Sequence, residues 1–400
     1  MHIVNSTDIL LPRTEDMGAW SVIACDQFTS EPEYWAEAEK RAAGKPSALS
    51  LMLPEAWLHT ARADGADERI AETMKKYLAE DVFRTIPDSF IYVERTLPDG
   101  RIRRGLVAAL DLEQYDFSGG HTAPVRSTEG TVEERLPPRV KIRRGAPLEM
   151  PHTLLLMDDR TDSVLSAAEK QKGSLEKLYD FDLMLGGGHI AGWRVSGEAK
   201  TAVQSALDAL DNAALQREKY GAAADNGKLT FAVGDGNHSL AAAKRFWEEK
   251  RETLPESERA GDPARFALVE LENIHEPSLD FEPIHRVIFD TDTAAFPAEL
   301  AAHRAEWESA DKTLGERVTA AESFCRSYIA AHGGTVDYIH GDDTARTLGE
   351  KPNCAAVLLP PVEKSGLFLS VLKNGALPKK SFSMGNARDK RYYLECRAIR

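Results

Sequence analysis

Read for the spacing of apolar and polar positions, the chain divides into short strands and amphipathic helices. Residues 3–11 alternate until Pro12 and Arg13 interrupt them, and 20–24 form a second short strand that ends at Asp26. A helix including residues 33–41 follows, and 67–80 is amphipathic, with Ile70, Met74, Tyr77 and Leu78 inward. Residues 90–95 and 102–110 read as a hairpin across Pro98-Asp99-Gly100, residues that preset a tight turn. Residues 152–158 form a buried-type strand ending in Asp158-Asp159, and 162–178 are expected to be helical. Between that helix and a strand at 190–195 lies Leu185-Gly-Gly-Gly-His, so its glycines read as a helix-to-strand turn, not a phosphate loop. An Ala-rich helix covers 201–220. After a linker-like stretch at 256–263 come strands at 266–271 and 287–289, a long amphipathic helix over 307–332, and strands at 336–340, 355–359 and 365–372. No solenoid-period repeat and no low-complexity tract is visible.

One local pattern carries a chemical mechanism. Residues 229–233 are apolar and strand-like, Gly234 stops them, and Leu240, Ala243 and Trp247 then recur at helical spacing. Gly234 and Gly236 at the corner allow left-handed dihedrals and close approach of a ligand. Asn237 or Ser239 can cap the helix, and the first helical N–H groups, unpaired within it, point out of its positive end toward a phosphate or carboxylate. His238 adds a switchable donor, whereas Asp235 would repel an anion unless a cation intervenes or it accepts a proton or holds Mg²⁺. The bland alternative is a strand-helix corner whose Asp and Asn only cap it. Neither the Walker spacing nor Gly-x-Gly-x-x-Gly is present.

Composition narrows the classes. At 400 residues, 42% hydrophobic and 28% charged, the chain is long enough for two domains or one elaborated domain and lacks the bias of a disordered protein. No apolar run approaches a spanning helix, and the first residues lack the order of a signal peptide. Cys25, Cys325, Cys354 and Cys396 are scattered, which fits a reducing cytoplasm and argues against a zinc knuckle. Fifty basic against 64 acidic residues leave a net charge of −14, so DNA is not an expected partner. Arg101, Arg103 and Arg104, and Lys141, Arg143 and Arg144, read as solvated strand faces. Residues 126–135, polar and set between prolines, read on composition alone as a solvent loop.

Asp235-Gly-Asn-His-Ser239 before an Ala-rich helix resembles the Asp-Gly-x-His-Arg signature of ParB and sulfiredoxin-like folds, and more closely the bacterial domain of unknown function 1015 family. Blocks at Ala24-Cys-Asp-Gln-Phe28, Thr128-Glu-Gly-Thr131 with Glu134-Arg135, Pro283-Ile-His-Arg-Val287 and Phe382-Ser-Met-Gly385 extend the resemblance over nearly the whole chain. Ser239 stands where the signature has Arg, so a cation must come from elsewhere. The resemblance implies an α+β fold: a ParB/sulfiredoxin-like mixed-sheet core over residues 1–255, elaborated by a second α/β half over 262–400. It implies a phosphotransferase using ATP or ADP with Mg²⁺ and a small hydroxyl metabolite, serine being the first choice. In that reading Asp235, Glu129 and Asp26 are catalytic; Gly234, Gly236, Asn237, His238, Ser239 and Arg135 hold phosphate, with His285 and Arg286 supplying the missing charge. No protein-borne metal site is expected, a homodimer is allowed, and the alternative is a nucleotide-binding regulator without turnover.

Overall fold

The hairpin expected around Pro98-Asp99-Gly100 forms, with Phe83–Thr96 antiparallel to Ile102–Asp111 and Ile91 opposite Val107. In this computed structural model, which describes residues 2–119, 122–150 and 152–400, the hairpin sits within a large mixed sheet. The strand order is Glu176–Asp182, His189–Val195, Phe83–Thr96, Ile102–Asp111, Phe266–Asn273, Leu154–Met157, Phe231–Asp235, Val125–Ser127 and Tyr115–Asp116. Pairing is antiparallel except at three junctions: Phe266–Asn273 with Leu154–Met157, Phe231–Asp235 with Val125–Ser127, and Val125–Ser127 with Tyr115–Asp116.

Side chains alternate across a strand, so each central strand feeds two cores. Phe90 and Tyr92 pack with Val203, Leu207 and Trp247 on one face. Ile91 and Val93 pack with Trp20, Trp35 and Met74 on the other. A smaller sheet sets Phe281–Phe289 between Thr335–His340 and Cys354–Val357, with helix Leu314–His332 packing Phe324 and Tyr328 into its core. No helix among the described residues is long and apolar enough to cross a membrane.

The last residues run back over the first sheet's flank. Tyr392–Tyr393 pairs with Val22–Ile23 and Arg397–Ala398 with Leu148–Glu149, while Phe382–Met384 joins Phe281–Phe289 of the smaller sheet. The stretch expected as a linker contains helix Glu256–Arg259 and leads straight into Phe266–Asn273, a central strand. The division expected between 255 and 262 therefore does not separate the two sheets.

Several elements differ from expectation for identifiable reasons. The helix expected over 162–178 covers only Ser163–Glu169; Glu176–Asp182 is a strand because His189–Val195 offers it an antiparallel partner. The glycines at 186–188 therefore join two strands. Residues 365–372 give helix Leu367–Asn374: Leu367, Phe368, Val371 and Leu372 are buried one turn apart, and Gly375 at φ 75° ends the run. The helices expected over 201–220 and 307–332 are each interrupted, at residues 211–212 and 309–313.

The two basic clusters are not solvated strand faces. Lys141, Arg143 and Arg144 lie on helix Leu136–Gly145, each paired with a carboxylate. Arg103 is buried beside Glu272 at 2.8 Å and sits directly opposite Arg95 in the sheet register. Like charges so placed repel. They persist because Arg95 donates to the carbonyls of Gly187, Arg388, Asp389 and Lys390 at 2.5–3.0 Å, and Arg103 donates to that of Asp389 at 2.8 Å. Next to them Arg391 pairs with Glu270 at 2.7 Å and Glu395 at 2.6 Å. Burial, with Arg103 beside it, lowers the Arg95 guanidinium to about 10.

Room for this network comes from Gly105, where a Cβ would overlap the Glu270 carboxylate. Gly105→Ala is expected to lose about 1–3 kcal/mol in urea denaturation through forced repacking of a buried ion pair; an unchanged midpoint would show that Glu270 can move aside freely.

Candidate functional site

Strand Phe231–Asp235 delivers the chain to Gly236, whose φ of 78° turns it into helix Asn237–Thr253. A Cβ on Gly236 would meet Thr153 Oγ1 at 2.8 Å, so both backbone angle and close packing require glycine. Neither Asn237 nor Ser239 caps the helix; Gly236 takes the cap position and no side chain bonds the first amides. They remain as donors at the helix's positive end. Asn237 Oδ1 and Thr131 Oγ1, from the corner and the neighbouring loop, are buried without a hydrogen-bond partner. Buried polar atoms are seldom left so, and a ligand would satisfy them.

The expected solvent loop packs onto the corner. Thr128 donates through Oγ1 to the Val233 carbonyl at 2.6 Å, and the Val132 amide donates to His238 Nε2 at 3.2 Å. His238 is thus an acceptor at Nε2, not the cationic donor expected. Burial, together with Arg139, Arg135 and Lys379, pushes its imidazole down to about 4. Glu129 is half-buried and receives the amides of Ser381, at 3.1 Å, and Lys380. Burial outweighs those bonds, and with Asp235 nearby it raises the Glu129 carboxyl above the ordinary range.

Asp26 reaches the same place from the N-terminal region. Burial works against its charge, yet His152, Gln27 and Lys390 hold its carboxyl below the usual range. His152 Nε2 lies 3.9 Å from Asp26, and its Nδ1 lies 2.7 Å from the Tyr393 hydroxyl. Tyr393 donates to Cys25 Sγ at 3.2 Å, and burial beside Asp26 pushes that thiol up to about 12, which disfavours the thiolate.

The structure therefore brings Asp26, Glu129, Asp235, Asn237, His238 and Ser239 to one corner, with exposed Arg135 at its margin. Gly234 sits behind it, where a Cβ would strike Met384 and Leu156. His285 and Arg286 do not supply the missing cation. His285 is buried between Asp342, at 2.8 Å, and the Leu359 amide, at 3.1 Å. Arg286 is paired with Glu322 at 2.7 Å and lies over the Tyr338 ring. Both hold the smaller sheet together because that sheet buries charged groups which need partners of their own.

Lys390 is the cation that the sequence did not single out. It lies 3.3 Å from Asp235 and within electrostatic reach of Asp26, in a charge-rich tail without local signature. Lys379 and Lys380 were visible only as neighbours of the Phe382-Ser-Met-Gly385 block, and Arg139 as one more base after two prolines. Mg²⁺ has no cage here: among the described residues no three His, Cys, Asp or Glu side chains are grouped to hold a metal ion.

The family model described as Protein of unknown function (DUF1015) matches residues 7–397, and the chain belongs to that family. No curated protein matches it. Among solved structures, it is similar to a conserved hypothetical protein from Pyrococcus furiosus, 10% identical with a TM-score of 0.33 over 72% of this chain and 93% of that one. A free serine kinase in complex with AMP is also 10% identical, with a TM-score of 0.34 over 72% and 90%. SbnI with a C-terminal truncation, from Staphylococcus aureus, gives 10%, 0.31, 70% and 83%. Likenesses at this level transfer no residue role, so the chemistry rests on this chain's own geometry.

Because its folded pKa lies below the ordinary 6.5, His238 contributes stability that is complete above that pH and is lost as pH falls toward about 4. Its imidazole resonance is expected to titrate with a midpoint near 4 by NMR, and the stability difference between wild type and His238→Asn is expected to narrow across the same window. A midpoint near 6.5 would mean that the ring is solvated.

Proposed function

We propose that this corner binds the phosphates of ATP or ADP and transfers the terminal phosphoryl group to a small hydroxyl metabolite, within a ParB/sulfiredoxin-like core working in the cytoplasm. The observation that carries the reading is an uncapped helix start, with partnerless buried polar atoms beside it, ringed by cations from three separate segments. Phosphoryl transfer needs charge neutralisation, an aligned acceptor and a base.

The residues divide those tasks. Amides of residues 237–239, Lys390, Lys380 and Lys379 balance the phosphate charge. Asp235 positions Lys390 and keeps the cluster from being cationic without a ligand. Burial raises the Glu129 carboxyl, whereas Asp26 is held below the usual range by His152, Gln27 and Lys390, so of these two Glu129 is the base. The acceptor oxygen bonds to phosphorus and its proton passes to Glu129. The bridging P–O bond breaks, and its electron pair leaves with the nucleotide. Mg²⁺, where used, arrives on the nucleotide phosphates. The motif resemblance makes serine the first acceptor to test.

Incubation with ATP or ADP labelled on its terminal phosphate and a pool of hydroxyl metabolites, serine included, is expected to label a small molecule. Glu129→Gln is expected to lower turnover by roughly 10²–10⁴-fold with nucleotide affinity nearly unchanged in calorimetry, while Lys390→Ala weakens nucleotide binding. Nucleotide binding without label transfer would favour a regulator, and no nucleotide binding would remove the reading altogether.

A further inference from the structure

A cavity of about 690 Å³ opens beside the Ser239 end of the corner. That volume falls in the range of roughly 300–1,000 Å³ typical of pockets enclosing drug-sized ligands, far more than a serine side chain needs. Its wall comes from the 3₁₀ turns Ala48–Leu51 and Glu55–Trp57, helix Leu136–Gly145, the first turns of helix Asn237–Thr253 and strand Phe266–Asn273. Leu51, Met52, Met74, Ile142, Leu148 and Leu268 form the apolar side. Ala242, Ala243 and Ala267 leave space where larger residues would close it. Met150 adds a third methionine, a side chain whose unbranched stem adapts to varied apolar shapes.

The charged groups deepest in this wall are paired with one another. Arg139 bonds Glu55, Arg143 pairs with Glu149 at 2.6 Å, and Glu149 also receives Arg397 and the Leu268 amide. His152 faces Tyr393. Arg135, at the mouth, makes no side-chain hydrogen bond or ion pair among the described residues and is free to meet an anion. The cavity thus has a mainly apolar lining with exposed Arg135 beside it, next to Cys25 and His152 and so beside Asp26, while exposed Glu134 adjoins Arg135.

We infer that the cavity holds the aliphatic body of the phosphoryl acceptor, which is a hydroxy acid with an apolar tail: its carboxylate meets Arg135 and its hydroxyl emerges toward Glu129 and Asp26. This rests on the transferase reading for the fate of the hydroxyl, but the tail site is measurable without turnover.

The test is calorimetric titration of the full chain with β-hydroxybutyrate, β-hydroxyhexanoate and β-hydroxyoctanoate, alone and with saturating ADP. Affinity is expected to rise about tenfold for each pair of added methylenes, to the same extent with ADP bound. Met52→Trp and Ile142→Trp, both at half-buried wall positions, are each expected to flatten that dependence in protein whose thermal unfolding remains cooperative. Equal affinity across the series overturns the inference, as does a dependence surviving both substitutions, which would put the tails elsewhere. Competition with ADP that grows with tail length also overturns it, because the cavity would then hold the base. If affinity rises with tail length but no label is transferred, the tail site stands and only the kinase reading falls. Label transfer to serine with a flat series does the reverse.

Discussion

Two buried guanidiniums facing each other across the central hairpin set the geometry of everything near the corner. Arg95 and Arg103 are opposite one another in register, an arrangement that repels until something negative lies between or above them. The structure meets that requirement with Glu272 and with the carbonyls of residues 388–390, all three bonded by Arg95 and that of Asp389 by Arg103 as well. A desolvated charge costs several kcal/mol if left unpaired, so the tail is held at that position firmly. Lys390, whose own carbonyl accepts one of these bonds, is thereby held with its Nζ 3.3 Å from Asp235. Tyr392, next in the chain but one, pairs with Ile23, which fixes the approach of Asp26.

The site is a problem of charge balance solved locally in a protein whose surface is acidic overall. Asp26, Glu129 and Asp235 meet at a helix N-terminus, where each alone would discourage a phosphate. Their different environments separate their roles. Asp26 is stabilised as an anion by His152 and Lys390, Asp235 is paired with Lys390, and burial raises the Glu129 carboxyl. Burial first, and then Arg139, Arg135 and Lys379, keep His238 neutral. A low-dielectric pocket focuses such fields, so a net charge of −14 is no obstacle to a small anionic ligand.

Local chemistry was legible where local forces decide. Pro98-Asp99-Gly100 preset its turn, and Gly236 turned the strand into the helix, because dihedral preferences act on the residue itself. The block at Thr128-Glu129-Gly130-Thr131 was readable only by resemblance, since its polar residues look like solvent loop until Val233 and His238 are placed against them. The strand Glu176–Asp182 was misread as helix because its partner, not its composition, makes it a strand. The pairing of His285 and Arg286 inside the smaller sheet was equally hidden, because Asp342 and Glu322 lie 57 and 36 residues away.

By itself the sequence determined the strand-turn-helix corner, the mixed α/β character, the family and most of the residues at the corner, all properties set by short-range sterics, periodicity or fixed motifs. Tertiary structure alone decided which cation serves Asp235, that burial raises Glu129 while Asp26 is held ionised, and that an apolar cavity adjoins the helix start. Those depend on desolvation and on Coulomb interactions between segments hundreds of residues apart, and neither quantity exists until the chain is packed.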